Sequence, residues 1–117
     1  MTKLRDLLNS RVLVADGAMG TMLQAQGDLD LERDFQGLEG CNEVLNITRP
    51  DVVSAVHRAY LEAGSDCVET NTFGTNLAAL AEYGIVDRLA ELAGAGARIA
   101  RETADGFTDK PRFVLGS

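Results

Sequence analysis

The 117-residue sequence has no tryptophan, a single histidine, two cysteines and two prolines, and aromatic residues make up only 5% of it. Two cysteines are too few for a disulfide framework, and the separation of Cys41 from Cys67 fits no paired zinc-ligand spacing. The lone His57 has no second histidine one helical turn away, so no metal-binding pair is present either. His57 therefore reads as a packing or surface residue, and both cysteines as inert, reduced thiols of a cytoplasmic protein. Basic residues are also scarce: 11 Lys and Arg against 18 Asp and Glu leave a net charge of −7. A nucleic-acid binder needs the opposite balance, because phosphate backbones attract basic surfaces. Nowhere does an apolar run reach the roughly 18 residues of a membrane-spanning helix. The N-terminal MTKLRDLLNS lacks the apolar core of a signal peptide and reads as a short amphipathic helix over about residues 3 to 9.

What is present is 45% hydrophobic and 25% charged, with no low-complexity linker, which suits one globular unit. RVLVAD is a short β-branched and leucine run closed by turn residues, and it reads as a strand. AMGTMLQAQ follows as a brief helix with Met19, Met22 and Leu23 on one side. Residues 27 to 48 form a long, polar, irregular connection of the kind that often serves binding. TRPDVVSAVHRAYLEAG is a helix: Thr48 and Asp51 stand in capping-box spacing, and Pro50 occupies the first turn. Val52, Val56, Tyr60 and Ala63 form its core-facing stripe, and Gly64 ends it as a left-handed cap. CVETN reads as a second strand. LAALAEYG and VDRLAELAGAGARIARETAD then read as helices, with Leu89, Leu92 and Ile99 as apolar positions of the second. Gly94 and Gly96 there each cost about 1 kcal/mol against alanine, which points to close packing or a kink. RFVLGS reads as a third strand.

The order is thus helix, then β-α-β-α-β, the alternation that builds a parallel sheet with helices outside. Three parallel strands would leave two bare edges, and the third runs to Ser117, so the sequence reads as part of a larger sheet. In parallel α/β folds ligands bind beyond the C-terminal strand ends. Those ends carry Asp16-Gly17, Glu69-Thr70-Asn71-Thr72 and Gly116-Ser117, which would face one rim. GAMGT is neither a dinucleotide fingerprint nor a P-loop, so phosphate cradling is disfavoured. Asp16-Gly17 alone could be no more than a tight turn in which glycine relieves strain. Glu43 and Asn46, in the long connection, are weaker candidates.

Taken together, VADGAMGTMLQ, NEVLNITRPDVVSAVHRAYLEAGSDCVETNTFGTN and KPRFVLGS resemble the homocysteine S-methyltransferase family over nearly the whole chain, from about Leu4 to Ser117. Within that family they resemble the homocysteine-binding N-terminal domain of the cobalamin-dependent methionine synthases. The resemblance implies an α/β fold in which residues 1–117 supply the first three β/α units of a (β/α)8 TIM barrel. It also implies a methyltransferase of methionine biosynthesis, with homocysteine as substrate and zinc on cysteine thiolates as activator. Methylcobalamin would be the donor, recharged from methyltetrahydrofolate on other domains of the same chain. The family's zinc cysteines lie on later strands, beyond residue 117, and Cys41 and Cys67 do not match them. No metal ligand and no catalytic residue is therefore assigned to this segment. Its implied substrate-binding residues are Asp16 and Gly17, with Asn71 and Thr72. The alternatives are a cobalamin-independent enzyme using S-methylmethionine or betaine, and a self-standing flavodoxin-like binding domain.

Overall fold

A computed structural model describes residues 2–117. Its helices are α1 (Leu4–Leu8), α2 (Gly20–Gln24), α3 (Leu45–Thr48), α4 (Pro50–Glu62), α5 (Leu77–Glu82) and α6 (Leu89–Asp105), with 3₁₀ turns at Asn42–Val44 and Val86–Arg88. Two strands, β1 (Cys67–Glu69) and β2 (Phe113–Leu115), pair in parallel, with Cys67 opposite Phe113 and Glu69 opposite Leu115. The sequence is expected to give a strand over 11–16. In the structure that segment is extended but carries only one parallel bridge, Ala15 to Cys67. It is still registered on β1, since Asp66 N donates to Val14 O (2.8 Å) and Asp16 N to Cys67 O (3.0 Å). The segment lies along one edge, and Val12 and Val14 stay 85% and 56% exposed. The expected second strand, CVETN, stops at Glu69 because Thr72 N turns back to Thr70 O (2.9 Å). The third shortens to Phe113–Leu115 because Ser117 N goes to a side chain, Thr70 Oγ1 (3.1 Å).

Helix α4 departs from its expected start. Thr48 makes no cap: its hydroxyl donates to Asp34 O (2.5 Å), with Val44 O at 3.3 Å as the alternative acceptor, and Arg49 precedes the first turn with no capping side chain. Pro50 does begin the helix, where a missing N–H costs nothing. Gly64 ends it at φ +111°, as a left-handed residue that suits glycine. Val52 and Val56 are buried as the stripe requires and Tyr60 is half-buried, but Ala63 is exposed; Val53, His57 and Leu61 are buried in its place. The apolar face is wider than the stripe because α4 has neighbours on several sides, packing on α6, α3, α2 and β1.

One core group joins Leu23, Leu45, Val52, Val53 and Val56, with Met19 and Met22 against it; a second joins Leu61, Val68, Ala100 and Ala104. Tyr60 touches both. Each fully buried Val or Leu here contributes about 1.5–3 kcal/mol relative to exposure. At the N-terminal strand ends, the buried carboxylate of Asp66 accepts from both Arg11 Nη atoms (2.8 and 3.2 Å) and from Val14 N (2.9 Å), and pairs with Lys110 (3.1 Å). Arg11, Asp66 and Lys110 precede the three extended segments in turn, so one buried acid ties them together. These cations and the Val14 N–H hold the Asp66 carboxyl far below the usual carboxylate range. Among the described residues no helix is long and apolar enough to cross a membrane.

Candidate functional site

At the opposite, C-terminal ends of the parallel segments lies a cleft of about 300 Å³. Asp16, Gly17, Asn71, Thr72 and Ser117 all line it, so the three strand ends do face one rim. Glu43 lines it too, while Asn46 sits behind it, 3% exposed. The sequence reading left out Asn42, Met19 and Phe73, which also line the cleft. Asn42 and Glu43 belong to the 3₁₀ turn inside the long connection, where no periodicity marks a facing side. A larger space of about 790 Å³ lies near the N-terminal end of β2, but its cations are already engaged: Arg101 by Asp105, Arg112 by Asp109, and Lys110 by Asp66. The smaller cleft is the one that gathers the strand-end residues.

Asp16 occupies one wall. Its Oδ2 accepts from Glu69 N (3.1 Å), while Oδ1 is buried without a hydrogen-bond partner. Burial raises the Asp16 carboxyl above its ordinary value; the Glu69 N–H opposes this, and the Glu69 charge adds to it. A carboxylate held this way gains from a cationic donor, and no Lys or Arg lines the cleft. Gly17 has ordinary φ, so the strain reading of the glycine does not apply. Its reason is space: a Cβ there would lie 3.0 Å from the Tyr60 hydroxyl, which donates to Ala18 O (2.7 Å).

The opposite wall is a closed circuit. Ser117 N donates to Thr70 Oγ1 (3.1 Å), the Thr70 and Thr72 hydroxyls lie 2.6 Å apart, and Thr72 Oγ1 donates to Ser117 O (3.1 Å). With its proton on Ser117, Thr72 takes the Thr70 proton, and each hydroxyl is satisfied. Asn71 is 5% exposed, and its Nδ2 donates to Asn42 O and Asn46 Oδ1, both at 3.0 Å. Glu43 Oε1 accepts from Gly74 N (2.8 Å), which fixes the turn after Thr72.

The family model for homocysteine S-methyltransferase matches residues 13–117. The chain belongs to the homocysteine S-methyltransferase family. It is 59% identical to the methionine synthase of Mycobacterium tuberculosis (strain ATCC 25618 / H37Rv) over 118 aligned positions, and 56% identical to that of Mycobacterium leprae (strain TN). Those alignments cover 99% of this chain but 10% of each relative, so the chain spans about a tenth of the length of the curated relatives it matches. Among solved structures it is similar to the metallated form of the Escherichia coli homocysteine methyltransferase MmuM, with TM-score 0.75, 25% identity, and coverage of 97% of this chain and 40% of that one. The α/β fold is thus that of a homocysteine methyltransferase barrel, and the flavodoxin-like alternative falls.

The donor set does not fit a zinc site. Burial raises both cysteine thiols above their ordinary value. Cys41 Sγ points to Glu43 Oε2 (3.9 Å), whose charge pushes the same way, and Cys67 is on β1. Among the described residues no three His, Cys, Asp or Glu side chains are gathered to hold a metal ion.

Proposed function

We propose that residues 1–117 form the first three β/α units of a (β/α)8 barrel and supply the amino-acid-binding wall of a methionine synthase. The observation that carries this reading is Asp16 Oδ1, buried and unpartnered at a cleft no basic side chain lines. The ammonium of homocysteine would give that oxygen its donor, and the bare Gly17 backbone lets the amino-acid end approach closely. Asn71 and Thr72 form the facing wall. Asn71 acts there mainly through a fixed backbone, and Thr72 through a hydroxyl left as an acceptor.

Activation of the substrate thiol is assigned to zinc and cysteine ligands outside this segment, since the thiols here do not fit the metal. The methyl donor is methylcobalamin, recharged from methyltetrahydrofolate, both carried by other domains of the same chain in the cytoplasm. Support comes from the methionine synthase relatives, which extend far past the aligned tenth. A donor such as S-methylmethionine or betaine is the second reading, since the family match and the likeness to a homocysteine methyltransferase bear on the acceptor and not on the donor. The full-length chain, given homocysteine with each donor separately, should form methionine from methylcobalamin. Methionine from S-methylmethionine or betaine alone would overturn the donor, and no methionine from any of them would overturn the reading itself.

A further inference from the structure

The 70–72 wall is shaped from behind by groups that do not line the cleft. Asn46, on α3, donates through Nδ2 to Asn71 O (2.8 Å) and to Leu92 O on α6 (3.2 Å). Its Oδ1 accepts from Asn71 Nδ2 (3.0 Å), whose other proton goes to Asn42 O (3.0 Å). Asn46 thus accepts from the Asn71 side chain and donates to the Asn71 main chain, and the pair ties together the long connection, the strand end and α6. The orientation of Asn46 is dictated, since a flipped amide would set its carbonyl against two other carbonyls. From the far side, α6 comes in at Gly96. A Cβ at that position would lie 2.6 Å from Thr72 Cγ2, 2.8 Å from Asn46 Nδ2 and 3.2 Å from Asn71 O. Strand pairing sets only the first residue here: β1 has ended at Glu69, Thr70 N still donates to Leu115 O (2.9 Å), and residues 71 and 72 have no strand partner.

We infer that Asn46 is a positioning residue for the substrate wall: its amide fixes the 70–72 backbone, and Gly96 leaves the room for it. This rests on the proposed homocysteine site, but the geometry it invokes is measurable without substrate. Buried polar groups that lose a partner leave the others unsatisfied, so truncation should loosen the segment rather than merely shorten a side chain.

The test uses the full-length chain carrying Asn46→Ala, with Leu80→Ala as a control. Leu80 is 1% exposed on α5, does not line the cleft, and its loss costs core packing. Amide hydrogen exchange across residues 70–75 and the KM and kcat for homocysteine are read in both. Asn46→Ala should speed exchange at 70–75 at least tenfold and raise the homocysteine KM about tenfold, with kcat at saturation within about twofold. Leu80→Ala should lower thermal stability at least as much yet leave that KM within twofold. If Asn46→Ala does not fold, Asn71→Ala substitutes. It keeps the Asn46 Nδ2 bond to the backbone and should loosen 70–75 by only a few fold. Unchanged exchange at 70–75, or an equal KM rise in Leu80→Ala, overturns the positioning role. Loosened exchange in a chain whose wild type does not use homocysteine overturns the substrate assignment instead.

Discussion

His57 is wholly buried on α4, and neither ring nitrogen has a hydrogen-bond partner. Burial alone lowers its pKa from 6.5 to about 4. The folded chain therefore keeps the ring neutral at pH values where the unfolded chain protonates it. Stability is unaffected by His57 above about pH 6.5 and declines as pH falls from there toward 4, by up to about 3 kcal/mol at 1.36 kcal/mol per pH unit. Exchange protection of α4 amides, corrected for intrinsic rates, should drop about thirtyfold between pH 7.5 and 5. In His57→Leu that drop should vanish, and its persistence would assign the acid sensitivity elsewhere. The sequence shows that His57 has no metal-ligand partner at helical spacing. It does not show that α4 buries more of its circumference than one stripe, which depends on neighbours far along the chain. Gly17 teaches the same lesson: its glycine character is legible, but its cause, the Tyr60 hydroxyl, lies on another helix.

At the scale of the element, α6 shows how two glycines close in sequence differ in consequence. The helix runs unbroken through Gly94 and Gly96. Nothing lies within 4 Å of a Cβ at Gly94, whereas Gly96 abuts Thr72 and Asn46. Gly94→Ala should therefore stabilise α6 by up to about 1 kcal/mol through helix propensity. Gly96→Ala gains the same propensity but overpacks the cleft wall, at a cost of about 1–3 kcal/mol. Hydrogen exchange along α6 should slow in the first variant and quicken in the second; the same sign in both would contradict the packing described. Helices α4 and α6 were legible because period and terminator agree in each: Pro50 and Gly64 bound the first, and spaced apolar positions mark the second. The strands were legible in place but not in length. Their ends are decided by side chains and turns, as when Thr70 Oγ1 takes the Ser117 N–H, and alternation in sequence carries no such information.

Across the whole molecule, the parallel segments are pinned at one end by Asp66 and opened at the other into the cleft. Sequence placed Asp16, Gly17, Asn71 and Thr72 at that end because α/β topology sends strand ends to one rim. It did not reveal how differently they stand there. Asp16 keeps an unpartnered oxygen, whereas Asn71 and the Thr72 proton are already engaged within the chain. It also gave no weight to Asn42, which sits in an irregular connection and reaches the cleft only through the chain's path.

The claim that the Asp16 carboxylate holds the ammonium of homocysteine is tested most directly by steady-state kinetics of Asp16→Asn in the full-length enzyme. Replacing a charge-assisted hydrogen bond of about 1.5–3 kcal/mol should raise the homocysteine KM by roughly tenfold to a hundredfold, with the KM for the methyl donor unchanged. A homocysteine KM equal to that of the wild type would contradict it.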